Sequence, residues 1–289
     1  MVCLENDSLK VWIRPKGAEL KSIVHKVTGT EHLWDANPAF WAKSSPVLFP
    51  IVGALKDNTY QFQGKSYELG RHGFARDHVF EVESKNKTTA TFLFCSNEDT
   101  LKAYPFEFQL RIIYTLEEGK LSVNYHVTNS GNSEMYFSIG GHPAFTVPFD
   151  SNTNYGDYSI LFNTEEVLNR WLLSPQGLLN GQTQPVELEE GKLKITKELF
   201  KDDALVFKNL ESNELTLKSE KESKSLIFRF ENFPYFGIWA AKNAPFICLE
   251  PWCGIADSES HNQELTDKEG IEKLMAGSVF EREWSVEVK

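Results

Sequence analysis

Apolar and polar residues alternate along much of this chain, with the period of β-strands that bury one face. The clearest run covers residues 106–114, and a second covers residues 121–128 after a turn that contains Gly119. Together they predict a β-hairpin. Similar alternation or short apolar runs predict strands at residues 90–95, 226–230, 246–249 and 284–288.

Helical signals are few and short. They lie at residues 97–103, 196–200 and 267–274, and Thr266 is a candidate N-cap for the last of these. The chain shows no linker, fixed-period repeat or low-complexity tract that would separate domains. We therefore expect one all-β domain over residues 1–289, a large, mostly antiparallel β-sandwich with short helices between strands.

Composition narrows the function classes. The chain has 289 residues, 41% hydrophobic and 13% aromatic, which is enough apolar material for a large core. Its 30 Lys and Arg against 41 Asp and Glu give a net charge of -11 without a basic cluster, so nucleic acid is not an expected partner. No apolar stretch approaches a membrane span, and charges interrupt the first 20 residues. A cytoplasmic enzyme or binding protein, without membrane association, is the expectation.

The four cysteines are Cys3, Cys95, Cys248 and Cys253. Their spacing suits neither a disulfide framework nor a zinc site, since even the closest two do not form a C-x-x-C pair. We expect free thiols, with Cys248 buried in a strand, and we predict no metal or cofactor.

Histidines suited to proton transfer lie in two glycine-containing segments. Arg71 and His72 stand between Gly70 and Gly73, and His142 follows two glycines and precedes a proline. Histidine gives and takes protons near neutral pH more readily than other side chains do. A solvated loop and a structural histidine are the plain alternatives, and each segment taken alone leaves the choice open.

Carboxylates mark two further segments. Asp202 and Asp203 precede an apolar run, and Glu250 ends an apolar strand just before Pro251 and Trp252. Burial in such surroundings would raise the pKa of Glu250 and make it a competent base. An acidic strand entry and an exposed glutamate are the alternatives here.

Taken together and in order, these segments resemble the aldose 1-epimerase (galactose mutarotase) superfamily, specifically its LacX-type branch. The resemblance rests on Arg-His-Gly-Phe at 71–74, Gly-Gly-His-Pro-Ala-Phe at 140–145, Asp-Ala-Leu at 203–205 and Leu-Glu-Pro-Trp at 249–252. Further matches at residues 17–19, 48–53 and 265–271 extend it over nearly the whole chain.

The resemblance implies a supersandwich fold and a cofactor-free isomerase that opens and recloses a sugar ring. In this family the glutamate matching Glu250 takes the proton of the anomeric hydroxyl, and the histidine matching His142 protonates the ring oxygen. His72 resembles a substrate-binding histidine, and Asp203 resembles an aspartate that binds sugar hydroxyls. Other expected substrate contacts are polar ones from Arg71 or Arg76 and apolar ones from Trp252, Phe74 and Trp239, although core packing is the favoured alternative for these aromatic residues.

One departure from the family pattern concerns substrate binding. Ala54 stands where relatives usually have an arginine that contacts the sugar, and Lys56 follows two positions later. This change leaves the proton-transfer residues in place, so it points to a different sugar or to a homologue that has lost turnover.

Four functions remain for comparison. A mutarotase for a neutral hexose is favoured, and a hexose-6-phosphate 1-epimerase would need several cations, for which Arg71, Arg76 and Lys56 are the candidates. A non-catalytic sugar-binding or sensing protein fits the same fold. A glycoside hydrolase using Asp203 and Glu250 would leave His142 without a task. The sequence leaves open both the identity of the sugar and the choice between monomer and homodimer.

Overall fold

The computed structural model describes every residue from Met1 to Lys289, and strands dominate it. The strands of the first half are β1 (Val2–Glu5), β2 (Leu9–Arg14), β3 (Glu19–His25), β4 (Thr30–Glu31), β5 (Val47–Leu48), β6 (Thr59–Phe62), β7 (Lys65–Glu68), β8 (Glu81–Lys85), β9 (Thr89–Cys95), β10 (Phe108–Glu117), β11 (Lys120–Asn129), β12 (Met135–Phe137), β13 (Ile139–Gly141) and β14 (Ala144–Thr146). Those of the second half are β15 (Tyr158–Phe162), β16 (Asn169–Leu173), β17 (Leu179–Pro185), β18 (Lys192–Lys194), β19 (Leu205–Lys208), β20 (Glu214–Ser219), β21 (Ser225–Arg229), β22 (Tyr235–Trp239), β23 (Phe246–Cys253), β24 (Glu272–Leu274) and β25 (Val279–Val288).

Helical structure is limited to short segments. The one α-helix, α1, spans Glu98–Ala103. Single turns of 3-10 helix lie at Lys56–Asn58, Ala75–Asp77, Tyr155–Asp157, Glu198–Phe200 and Leu265–Asp267. No helix is long and apolar enough to cross a membrane.

Two large antiparallel sheets form the body of the molecule. One has nine strands in the order β18-β15-β20-β21-β25-β11-β10-β9-β8, and the other has eight, β17-β16-β19-β22-β23-β13-β5, with β14 also paired to β23. Aromatic side chains fill the space between them: the ring of Phe228 on β21 lies 5.9 Å from that of Phe145 on β14 and 6.0 Å from that of Phe236 on β22. This arrangement confirms the predicted all-β, mostly antiparallel sandwich.

The predicted hairpin is confirmed as β10 and β11. The strands pair from Phe108 opposite Asn129 to Glu117 opposite Lys120, so Gly119 lies in the turn. On β10 every second residue is buried, in the phase that the sequence pattern predicts. Alternation determines the register here because a slip of one residue would turn the apolar face to solvent.

The helix predictions have mixed outcomes. The first is confirmed as α1, whose N-cap Asn97 accepts hydrogen bonds from the backbone N–H groups of Asp99 and Thr100. The second is reduced to the 3-10 turn Glu198–Phe200.

The third helix prediction, over residues 267–274, is wrong. A 3-10 turn ends at Asp267, and residues 272–274 form β24, which pairs with β12. Gly270 has a φ of +69°, and a Cβ there would lie 2.5 Å from the ring of Tyr235. This left-handed glycine breaks the helical path, and the amphipathic pattern serves an edge strand instead.

Candidate active site

Strand β23 carries the carboxyl group at the centre of the site. All eight of its residues are buried, which is why its sequence is apolar on both faces except at Glu250. Side chains alternate between its two faces, so Cys248, Glu250 and Trp252 share one face. Glu250 is only 2% exposed.

The strand register brings His142 next to Glu250. On the neighbouring strands, Gly140 of β13 lies opposite Trp252 and Ala144 of β14 lies opposite Cys248. His142 occupies the interruption between β13 and β14, directly across from Glu250. Its Nε2 lies 3.2 Å from Glu250 Oε2, within hydrogen-bonding distance.

Two tryptophans hold the His142 ring. Trp41 stacks on it with centroids 4.8 Å apart, and Trp239 meets it edge-on at 5.6 Å. The sequence analysis placed Trp239 near the sugar but missed Trp41, which lies in an irregular loop before β5 and outside the segments that carry the resemblance. Nothing in the local sequence pattern marks Trp41 as a site residue.

His72 comes to the site on a tightly turned loop. Its φ is +68°, unusual for a residue with a side chain, and its N–H donates to Gly53 O at 2.9 Å while the Gly53 N–H donates to His72 Nδ1 at 3.1 Å. Arg71 Nε donates to His72 Nε2 at 3.3 Å, so both ring nitrogens of His72 face an N–H donor. These contacts orient the ring in the wall of the site.

The same turn explains why Phe74 is not in the site. A Cβ on Gly73, whose φ is +68°, would lie 2.3 Å from the Phe49 carbonyl oxygen, so only glycine fits. The two successive left-handed residues turn the chain, and the Phe74 ring packs against Phe49, Phe94, Tyr104 and Phe108. The expectation that Phe74 contacts the sugar is corrected by this placement.

The remaining predicted residues line one cavity of about 450 Å³, a size typical of small-molecule sites. Its predicted members are Glu250, His142, His72, Asp203, Arg71, Arg76, Trp252 and Trp239. Its unpredicted members are Trp41, Gly53, Leu173, Gly177, Ala204, Val206, Ile255 and Ala256. Lys56 is not among them, because its Nζ donates to the carbonyl oxygen of His261.

Asp203 enters the cavity from the loop before β19. It adopts a φ of +94°, and its Oδ1 accepts the N–H of Ala204 at 2.8 Å. This bond to the adjacent backbone orients the carboxylate and leaves its second oxygen free for a ligand. The position agrees with the sugar-binding role that the resemblance implies.

Arg71 and Ala54 both border Gly177. A Cβ placed on Gly177 would lie 3.1 Å from Arg71 Nη1 and 3.8 Å from the Ala54 Cβ. Ala54 itself is buried. The guanidinium of Arg71 therefore reaches the region of position 54, although the residue there is alanine.

Burial shifts the pKa values of the acid/base pair in opposite directions. It raises the pKa of Glu250 well above the ordinary value, an effect that the charge of Arg71 opposes and that of Asp203 reinforces. It lowers the pKa of His142 to about 3 and that of His72 well below its ordinary value. At a pH between the pKa values of His142 and Glu250, the two groups together bind one proton.

His142, Cys248 and Glu250 also offer ligand atoms within 4.8 Å of one another, a spacing that a metal ion could bridge. Burial raises the pKa of the Cys248 thiol well above its ordinary value. Thiolate is the form that binds metals, so the protonated thiol makes this a weak ligand set at neutral pH. The four cysteines are unpaired.

The site is thus equipped for proton transfer to and from a polar small molecule. It combines an adjacent carboxyl and imidazole, a second imidazole, a free carboxylate and two guanidinium groups. Trp41, Trp239 and Trp252 supply apolar surface, on which the C–H faces of a sugar ring can pack.

Comparisons with known proteins agree with this geometry. Residues 1–267 match the aldose 1-epimerase family model. The chromosomal LacX protein of Lactococcus lactis subsp. lactis is 34% identical over 294 residues, covering 99% of this chain and 98% of that protein.

Two solved structures have the same fold. A galactose mutarotase related enzyme from Lactobacillus acidophilus superimposes with a TM-score of 0.95 at 35% identity, covering 100% of this chain and 97% of the other. A galactose mutarotase-like protein from Lactobacillus casei superimposes with a TM-score of 0.94 at 33% identity and full coverage of both chains. The chain therefore belongs to the aldose 1-epimerase family, in its LacX branch.

Proposed function

We propose that this protein is a cofactor-independent aldose 1-epimerase that interconverts the α and β anomers of a hexose. The observation that carries the proposal is the 3.2 Å contact between His142 Nε2 and Glu250 Oε2 in a sugar-sized cavity. Ring opening of a hemiacetal needs a base for the anomeric hydroxyl and an acid for the ring oxygen at the same time. This pair supplies both with one shared proton.

The proposed reaction conserves that proton. Glu250, as carboxylate, takes the proton of the anomeric hydroxyl while His142, as imidazolium, gives its proton to the ring oxygen. The bond between C1 and the ring oxygen breaks, and the C1 carbonyl forms. After rotation about C1–C2, the hydroxyl oxygen formed by ring opening attacks the other face of the carbonyl. His142 takes back the proton of that hydroxyl and Glu250 gives its proton to the carbonyl oxygen, which closes the ring to the second anomer and restores both groups.

The productive form has the proton on His142, whereas burial favours it on Glu250. To reach the productive form, the proton has to move only from Glu250 to His142, across the 3.2 Å contact between them. The positive charge of Arg71 lowers the pKa values of both Glu250 and His142, so it favours the carboxylate but opposes the imidazolium. The Arg71 guanidinium, which donates to His72 Nε2, has further N–H groups suited to charge that develops on the ring oxygen.

Polarimetry of freshly dissolved α-glucose and α-galactose, at low temperature in a weakly catalytic buffer, tests the proposal. We expect Glu250→Gln to lower kcat roughly 10²- to 10⁴-fold, because the amide cannot accept the proton. Glu272→Gln is the matched control. Glu272 also has a burial-raised pKa, but it lies on β24 outside the cavity, so turnover should not change.

Full activity in a folded Glu250→Gln variant would refute the assigned role. Calorimetric binding of a sugar with no acceleration of its anomer exchange would instead favour the non-catalytic sugar-binding alternative. The non-catalytic alternative was based on Ala54, which stands where relatives usually have an arginine. The guanidinium of Arg71 in the same region weakens that argument. A glycoside hydrolase mechanism would leave His142, which contacts Glu250, without a catalytic role.

A further inference from the structure

Two guanidinium groups in the cavity lack a close carboxylate partner. Arg71 forms no ion pair, and the only one that Arg76 forms is a 3.8 Å contact between its Nε and Oδ2 of Asp77, whose side chain is 56% exposed. That Nε is buried and has no hydrogen-bond partner. In contrast, Arg14, Arg111, Arg170 and Arg229 each pair with a carboxylate outside the cavity.

Backbone contacts and small neighbours hold these two side chains in place. Arg76 Nη2 donates to the carbonyl oxygen of Arg71 at 2.8 Å, and the Arg71 guanidinium lies against Gly177. The pKa of Arg76 is lowered, first by burial and further by the like charge of Arg71, although Asp77 opposes both effects. Two neighbouring cations without a close carboxylate partner are stabilised by a bound anion.

The net charge of the cavity lining also favours an anionic ligand. Glu250 and His142 together are neutral when they share one proton, and His72 is neutral because burial depresses its pKa. The other charged groups of the lining are one carboxylate, Asp203, and two guanidinium groups, Arg71 and Arg76, which leaves the lining positive in a chain whose net charge is -11. A local positive excess in an acidic protein attracts an anionic ligand to this cavity.

The position of the cations indicates which part of a sugar carries the anion. The His72 ring lies 5.9 Å from that of His142, and Arg71 is next to His72, so the guanidinium groups lie near His142, where the charges of both arginines lower its pKa. His142 is the group that we assign to the ring oxygen. In an aldohexose the ring oxygen is bonded to C5, which carries C6, so a substituent on C6 lies on this side.

We propose that the substrate is an aldose with an anionic group at C6, either a 6-phosphate or a C6 carboxylate, bound by Arg71 and Arg76. The inference rests on the proposed epimerase function and adds the substrate class to it. Guanidinium groups suit both anions, because their forked donors match phosphate and carboxylate oxygens. The sequence alone favoured a neutral sugar, because it showed neither the missing partners of these arginines nor their shared cavity.

Anomer exchange measured by proton NMR on three substrate pairs tests this inference. The pairs are glucose and galactose, their 6-phosphates, and glucuronate and galacturonate. We expect kcat/KM to be at least about tenfold higher for one anionic pair than for the neutral pair, and to fall with added salt because screening weakens the attraction. A preference for the phosphates or for the uronates identifies the anion.

Arginine variants connect the preference to the structure. Arg76→Gln should lower kcat/KM for the preferred anionic sugar by roughly tenfold or more, with a smaller change for the neutral sugar. Arg76→Lys keeps the charge and should retain part of the preference. Arg282→Gln is the control, because Arg282 also forms no ion pair but lies outside the cavity, and both activities should stay unchanged.

The outcomes separate this inference from the proposed function. Neutral sugars turned over as well as anionic ones, or an anionic preference unchanged in a folded Arg76→Gln variant, would overturn the inference and leave the epimerase intact. If no sugar is turned over, calorimetry with glucose 6-phosphate and glucuronate decides. Binding that Arg76→Gln weakens would support the anion site while refuting epimerase activity, and no binding of either would overturn both.

Discussion

A fully buried ion pair between Lys268 and Asp257 should determine how firmly one wall of the cavity is held. Both side chains are 1% exposed, and Lys268 Nζ donates to Asp257 Oδ1 at 2.8 Å and to the Ile255 carbonyl oxygen at 2.6 Å. Asp257 Oδ2 accepts the N–H of Lys56 at 2.9 Å. These bonds connect the loop after β23, which contains Ile255 and Ala256 of the cavity, to the loop after Ala54.

We expect Lys268→Met to lower the free energy of unfolding by about 3–5 kcal/mol. Methionine keeps most of the volume but leaves a buried carboxylate without its charge partner and a buried carbonyl without its donor. Denaturant unfolding followed by tryptophan fluorescence measures the change. Because the loop carries cavity residues, KM for the sugar should rise more than kcat falls.

The matched control is Lys273→Met. Lys273 also bridges a glutamate, Glu134, at 2.8 Å, but its side chain is 53% exposed, and we expect essentially unchanged stability because solvated pairs contribute little. A folded Lys268→Met protein within about 1 kcal/mol of the wild type would refute the reasoning. It would mean that the lost attraction is offset by no longer burying the lysine charge, so that the remaining carboxylate carries little penalty.

Three further predictions follow from burial and backbone geometry. In ¹⁵N NMR the imidazole of His142 should stay neutral as pH falls and titrate at about 3, and a midpoint near the ordinary value of about 6.5 would contradict the assigned environment. His32, whose pKa burial lowers to about 4, binds a proton in the unfolded chain before it does in the fold, so stability should decrease as pH falls from about 6.5 to about 4. The loss in the free energy of unfolding amounts to roughly 3 kcal/mol. His32→Leu should flatten that part of the pH dependence, and an unchanged slope would show that His32 contributes nothing to it. Gly73→Ala should destabilise the protein more than Gly64→Ala, because both glycines have a positive φ but only the first would place its Cβ against Phe49, and equal losses in thermal unfolding would contradict this account.

Hydrophobic alternation predicted the sheet hairpins because side-chain direction in a strand is a local property. The register of β10 and β11 needs no more than the phase of their apolar residues and the turn at Gly119. The 267–274 segment shows the limit of such reasoning. Its pattern is compatible with a helix, and what prevents one is a left-handed Gly270 packed against Tyr235, a residue distant in sequence.

Glu250, His142, His72 and Asp203 were nominated by the resemblance of the ordered motif segments to the family, and their residue types suit proton transfer and sugar binding. The sequence could not show that His142 lies across from Glu250, since this follows from how β13 and β14 pair with β23. Nor could it show that burial moves their pKa values in opposite directions, since desolvation depends on atoms contributed by the whole fold.

The sequence by itself therefore determined the strand periodicity and the all-β class, and its resemblance to the family nominated the residues of the candidate site. Only the tertiary structure decided which nominated side chains meet. It brought in Trp41 from an irregular loop, sent Phe74 into an aromatic cluster and put the guanidinium of Arg71 in the region of Ala54. The physical reason is that periodicity is set by neighbours along the chain, whereas side-chain contacts across a sheet or between loops are set by register and packing.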